Sequence, residues 1–155
     1  MCKPASFIIT SSSILWCDSD SHEDIIKKYN LDDSTCNPNF VRVEITPPDN
    51  NYSIDISTWE YRVDQDFLPD WYNSENCERF AREELKSWAK HKMVKNVSNI
   101  TVENFGKKTM VFINCKNVVV SGQTGGICRF HGKSTGTVSG QTGGDCWFHD
   151  NSKKI

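Results

Sequence analysis

The last third of the chain repeats with a period of 18 residues, and no other feature restricts its fold as strongly. The run VSGQTGGICRFH from Val120 to His131 returns as VSGQTGGDCWFH from Val138 to His149. A further step back reaches Val102, and four phases stay aligned: Ile100, Val118 and Gly136; Val102, Val120 and Val138; Met110, Cys128 and Cys146; Phe112, Phe130 and Phe148. The first two phases lie two residues apart, as do the last two, so each pair faces one side of a strand. Glycine-rich runs such as Gly122 to Gly126 fall between them and supply corners. One coil cannot bury its apolar face alone, whereas coils stacked at about 4.8 Å set phenylalanine on phenylalanine and sulfur on sulfur. The period therefore predicts a β-solenoid of roughly three coils over residues 95–155.

Residues 1–94 carry no such repeat and read as an α/β head of β-α-β-β-α order, giving an α+β chain. Ser6 to Cys17 reads as a strand. Ser21 with Asp24 marks a helix start, and Ile25, Ile26 and Tyr29 form the buried side of that helix. Residues 32–39 read as a loop. Phe40 to Ile45 alternates apolar and polar residues as a half-buried strand does, and Pro47-Pro48 stops it. Another strand is expected from Tyr52 through Ile54 and Ile56, broken near Ser57 and Thr58 where the parity changes before Trp59, Tyr61 and Val63. Ser74 is expected to cap a helix from Glu75 to about Met93, with Cys77, Phe80, Ala81, Leu85 and Trp88 as its apolar stripe.

The net charge of −2 divides unevenly, with 13 acidic and 5 basic residues over 1–74 against 7 acidic and 13 basic over 75–155. That division suggests two faces with different partners, or attraction between two copies; two ordinary solvated surfaces are the plainer alternative. No apolar run approaches the ~18 residues of a membrane span. The N-terminal stretch lacks the continuous apolar core of a signal peptide. Seven cysteines in such a chain are expected as reduced thiols in a cytoplasm.

FVRVEITPP from Phe40 to Pro48, then ISTWEYRVDQDFLPDWY from Ile56 to Tyr72, a charged helix and short repeats make up most of the chain. In this arrangement the chain resembles uncharacterised proteins encoded by bacteriophages and prophages, which end in short repeats of variable number. The resemblance implies an origin in a mobile element, so that the cytoplasm expected from the thiols is that of a host cell, and it carries no site residues over.

The candidate partner surface is an acidic stretch interleaved with aromatics: Trp59, Glu60, Asp64, Asp66, Phe67, Asp70, Trp71 and Tyr72. Aromatic side chains supply contact area and carboxylates steer toward a basic partner. The same acids, with Asp55, offer only weak spacing for an enzyme or a nucleotide-binding site. Cys128 with His131 and Cys146 with His149 hold four zinc-type ligands, but residues three apart on a strand face opposite sides, so stacked apolar cysteines are the better reading. No cofactor is expected. GQTGG lacks the helix and lysine of a phosphate loop and reads as a corner. A basic set of Lys107, Lys108, Arg129 and Lys133 could meet nucleic acid, which the acidic half disfavours. The expected function is that of a non-enzymatic protein-binding accessory protein that blocks a host protein of defence or nucleic-acid metabolism. Cys146, Trp147, Phe148 and His149, in the last coil, leave an open strand edge, and homodimerisation through it is expected. An enzyme or ligand sponge built on residues 55–72, and a self-assembling structural protein, are the alternatives.

Overall fold

A computed structural model of the chain describes residues 3–33 and 39–155; most of the loop expected over 32–39 lies outside these residues. The chain divides into two compact units, Met1–Asn50 with Asp55–Trp88, and Asn51–Ile54 with Ala89–Ile155. The division therefore falls six residues before the end of the head as read from sequence, and a four-residue segment around Tyr52 goes with the repeats. Among the described residues no helix is long and apolar enough to cross a membrane.

The first unit is a four-stranded antiparallel sheet in the order β2-β1-β3-β4, with two helices. Its strands are β1 (Ser6–Thr10), β2 (Ile14–Leu15), β3 (Phe40–Thr46) and β4 (Glu60–Val63). The stretch read as one strand from Ser6 to Cys17 is a hairpin. Thr10 closes it, accepting the amide protons of Ser12 and Ser13 on its hydroxyl and donating its own amide to Ser13 O. No strand forms over Tyr52 to Ile56. Asp55 instead caps a single 3-10 turn, Ile56–Thr58, by accepting the Ser57 amide at 2.8 Å, and the expected parity break becomes a full interruption.

Helix α1 (His22–Tyr29) starts where the sequence indicates, with Ser21 accepting the Asp24 amide, and stops at Asn30 in a left-handed conformation. Its Ile25 and Ile26 pack with Ile8, Cys17 and Phe40 on one face of the sheet. Helix α2 (Ser74–Lys92) is capped one residue earlier than expected, because Asn73 rather than Ser74 accepts the Asn76 amide, at 2.9 Å. Cys77, Ala81, Leu85 and Trp88 are buried as the stripe requires, but Phe80 is exposed beneath the Arg79 guanidinium. Phe80 lies outside the arc of helix that Cys77, Ala81, Leu85 and Trp88 share, and the Arg79 guanidinium covers its ring there.

The second unit is a β-solenoid of about three turns with an 18-residue period. One parallel sheet has the order β11-β9-β7-β5, from β5 (Met93–Lys95), β7 (Thr109–Ile113), β9 (Thr124–His131) and β11 (Gly143–Phe148). The other has the order β12-β10-β8-β6, from β6 (Ser98–Val102), β8 (Lys116–Ser121), β10 (Thr135–Ser139) and β12 (Lys153–Lys154). All four phases fall in register: Met110 on Cys128 on Cys146, Phe112 on Phe130 on Phe148, Ile100 on Val118 on Gly136, and Val102 on Val120 on Val138. The phenylalanine rings stack at 5.1 Å and then 4.5 Å. The glycine in the third phase is also explained, since a Cβ at Gly136 would overlap the Phe130 ring. Aromatic volume from one sheet replaces aliphatic volume from the other.

Candidate functional site

Three arrangements carry side chains beyond what the fold needs. The first is the segment between β4 and α2. Gln65 fixes its start: its side-chain oxygen accepts the Arg42 amide at 2.8 Å, and its amide nitrogen donates to Phe40 O and Phe67 O. Tyr72 N donates to Pro69 O and so turns the chain toward α2. The Tyr61 and Tyr72 hydroxyls meet at 3.4 Å; burial, and then this hydrogen bond, raise the Tyr61 phenol above the usual range. Between these anchors Phe67 is 69% exposed, Leu68 43% and Trp71 37%, beside exposed Asp66 and Asp70. Glu60 is exposed on β4. Trp59 does not belong to this surface. It is buried and packs edge-on against Trp88 at 6.0 Å, so its area serves the core.

The second arrangement was not legible as a site in the sequence. Glu44 on β3 lies opposite Arg62 on one side and Ser6 on the other. The register thus gathers polar residues on the sheet face that α1 borders. His22, the first residue of α1, places Nε2 3.0 Å from Val43 O and Nδ1 3.7 Å from Asp64 Oδ2. Glu44 accepts the Lys3 amide at 2.8 Å on Oε1, and its Oε2 lies 3.9 Å from Arg62 Nη2. Arg62 also donates to Asp64 Oδ1 at 3.0 Å. Asp64, read from sequence as part of the aromatic surface, belongs to this cluster.

The third arrangement lies in the solenoid. Cys128 and Cys146 lie with the phenylalanines of the core, Cys128 fully buried. Their mutual hydrogen bond pushes the Cys128 thiol up, with burial acting the same way, and pulls the Cys146 thiol down. The histidines of the two Cys-x-x-His motifs do not join them. His131 and His149 stack on each other at 4.5 Å, His131 lies 5.4 Å from the Tyr52 ring, and Arg129 covers Tyr52. Burial, then His149 and Arg129, lower the His131 pKa from 6.5 to about 4. Asp150 accepts the Gly132 amide at 3.0 Å and approaches His131 Nδ1 at 3.6 Å. The four zinc-type ligands are thus divided between an apolar core and an aromatic stack. Among the described residues, the ligand atoms that converge within 4.8 Å are those of His22, Glu44 and Asp64. At the end of the solenoid β11 is an edge strand, with Trp147 49% exposed and Phe148 closing the phenylalanine stack.

Together these features define a small antiparallel α/β unit followed by a short β-solenoid. No protein-family model, curated protein or solved structure matches this chain.

Proposed function

We propose that the chain is a non-catalytic binding protein that holds a basic surface of another protein with the segment between β4 and α2. One observation carries this reading: three large apolar side chains, Phe67, Leu68 and Trp71, stand exposed on one short anchored segment beside Asp66 and Asp70. Exposed single apolar residues are ordinary; a cluster of them, two aromatic and flanked by acids, has the composition of an interface centre with its rim. The resemblance to phage-encoded proteins supports a mobile-element protein acting in a host cytoplasm, with a host protein of defence or nucleic-acid metabolism as the partner. The test is affinity capture from host lysate with the native chain beside a Phe67→Ser/Trp71→Ser variant and an Asp66→Asn/Asp70→Asn variant. A partner lost with the first, weakened with the second and released by salt supports the reading. A partner retained equally by all three proteins overturns it. Asp66→Ala separates an enzyme from a binder: it abolishes turnover in the one and reduces affinity by degrees in the other.

Self-association is a second reading, favoured by the edge position of β11 and the exposed Trp147. A second copy would pair along β11 and cover Phe148. Sedimentation at high concentration decides it: a dimer that Trp147→Glu dissociates supports the reading, and a monomer removes it.

A further inference from the structure

We propose that His22, Glu44 and Asp64 form a binding site for one divalent transition-metal ion of the Zn2+ or Mn2+ class, with Arg62 as a displaceable cover over the two carboxylates. Three elements contribute one ligand each: the first residue of α1, the central part of β3 and the residue after β4. His22 and Glu44 are 1% and 4% exposed, which separates them from the acidic groups common on surfaces.

The orientation of the imidazole carries the argument. Val43 O only accepts, so Nε2, 3.0 Å away, bears the hydrogen. Nδ1 is then the ring nitrogen that faces Asp64 Oδ2 at 3.7 Å, with a Glu44 oxygen within 4.8 Å, so that one ligand-type atom from each of three elements converges there. A backbone carbonyl holding the remote ring N–H is also the outer-shell arrangement that orients metal-binding histidines. The 3.7 Å between His22 and Asp64 is close to what an ion needs, because bonds of about 2.1 Å in a tetrahedron put ligand atoms ~3.4 Å apart.

The donor set narrows the ion. One imidazole and two carboxylates suit Zn2+ or Mn2+, whereas Ca2+ and Mg2+ prefer oxygen alone and Cu+ prefers sulfur. Arg62 is 66% exposed and reaches Asp64 and Glu44 through its flexible stem. It offsets part of the charge of the two carboxylates when no ion is present, and it can swing into water to leave a further coordination position on the accessible side of Asp64. Bound metal would tie α1, β3 and β4 together.

This site is independent of the partner surface, because Phe67 and Trp71 contribute nothing to it; capture by the loop variants and metal binding therefore fail separately. The test uses the full chain, stripped with chelator, titrated with Zn2+ and with Mn2+ by calorimetry, and loaded with Co2+ for its visible spectrum. One equivalent is expected to bind, to raise the melting temperature and to give a cobalt spectrum without a thiolate charge-transfer band. Asp64→Asn, at a partly exposed position, should weaken binding about 10-fold or more, and His22→Gln likewise. Arg62→Ala should bind as tightly or more tightly. Absence of stoichiometric binding overturns the proposal. So does binding that survives Asp64→Asn in the folded protein, or that Cys128→Ser with Cys146→Ser removes instead. If Arg62→Ala lowers stability and abolishes binding, the cluster is an ion-pair network and the proposal is also wrong.

Discussion

The two units turn their chains by different means. Every one of the nine glycines lies at or after Gly106. The first unit nevertheless places Asp20, Asn30, Asp49 and Asn50 at positive φ. Asparagine and aspartate suffice there because their short polar side chains tolerate the left-handed region where neighbouring backbone leaves room. The solenoid uses the same residues at some corners, as in the column Asn96, Asn114, Gly132 and Asp150, all at positive φ. At others the next coil lies too near. A Cβ on Gly126 would overlap the Lys108 carbonyl, so this position needs glycine for space as well as for φ. Stacked coils thus make two kinds of corner, one set by conformation and one by the approach of the coil below.

The largest effect should come from the stack itself. Phe130 touches Phe112 on one side and Phe148 on the other, so Phe130→Ala empties the middle of the column and should cost about 3–5 kcal/mol. Denaturant unfolding monitored by far-ultraviolet dichroism reads it. A loss under about 1 kcal/mol would mean that the repeats do not act as one core. Next is Gly126→Ala, expected to cost about 3 kcal/mol from the left-handed backbone and from overlap with a carbonyl that the β9–β7 pairing holds in place. Its unfolding midpoint in urea should fall without a change in slope.

The same contrast explains what the sequence made visible. A repeat presents each structural position several times, and Met110, Cys128 and Cys146 agree in phase because one packing environment recurs. Register, strand faces and the burial of Cys128 are therefore legible in the sequence. The first unit presents each position once. Trp59 reads as a contact residue because it stands among acids and aromatics, and only the packing of α2 through Trp88 makes it core. Tyr52 reads as a strand residue, whereas it packs under Arg129 and against His131 in the second unit. The His22, Glu44 and Asp64 cluster depends on a sheet register that brings residue 44 opposite residue 62, and no local pattern encodes that register. The polar position of Glu44 in an alternating strand was the available signal, and by itself it indicates only a face.

Acid should distinguish the units as well. Folded His131 stays neutral to about pH 4, while the unfolded chain takes up its proton near 6.5. The unfolded state then binds more protons between these values, so stability from this group is complete above pH 6.5 and declines as pH falls toward 4. His149 is displaced in the same direction by burial and Arg129, and nearby Asp150 opposes both shifts. After allowance for solvent near Asp150, the loss should be about 2 kcal/mol. Urea midpoints of the native chain and of His131→Gln between pH 4 and 7 measure it, and the variant should show the shallower decline. Equal slopes would place the acid sensitivity elsewhere.

The smallest expected effect tests the distinction between corners most directly. Gly140 has a φ of +61°, and Asn104, two coils earlier in the same column, has +52°. A Cβ at Gly140 would meet only the Gly122 nitrogen, at 3.6 Å, an ordinary contact. Asparagine at this exposed position therefore keeps the corner, and the entropy it removes from the unfolded chain offsets the mild left-handed cost. Gly140→Asn should leave stability within about 0.5 kcal/mol of the native chain. Measured beside Gly126→Asn, which puts the same residue in the same left-handed conformation where the next coil lies close, it separates space from conformation. If both substitutions cost the same, positive φ alone governs the corners, and the approach of the neighbouring coil has no energetic role of its own.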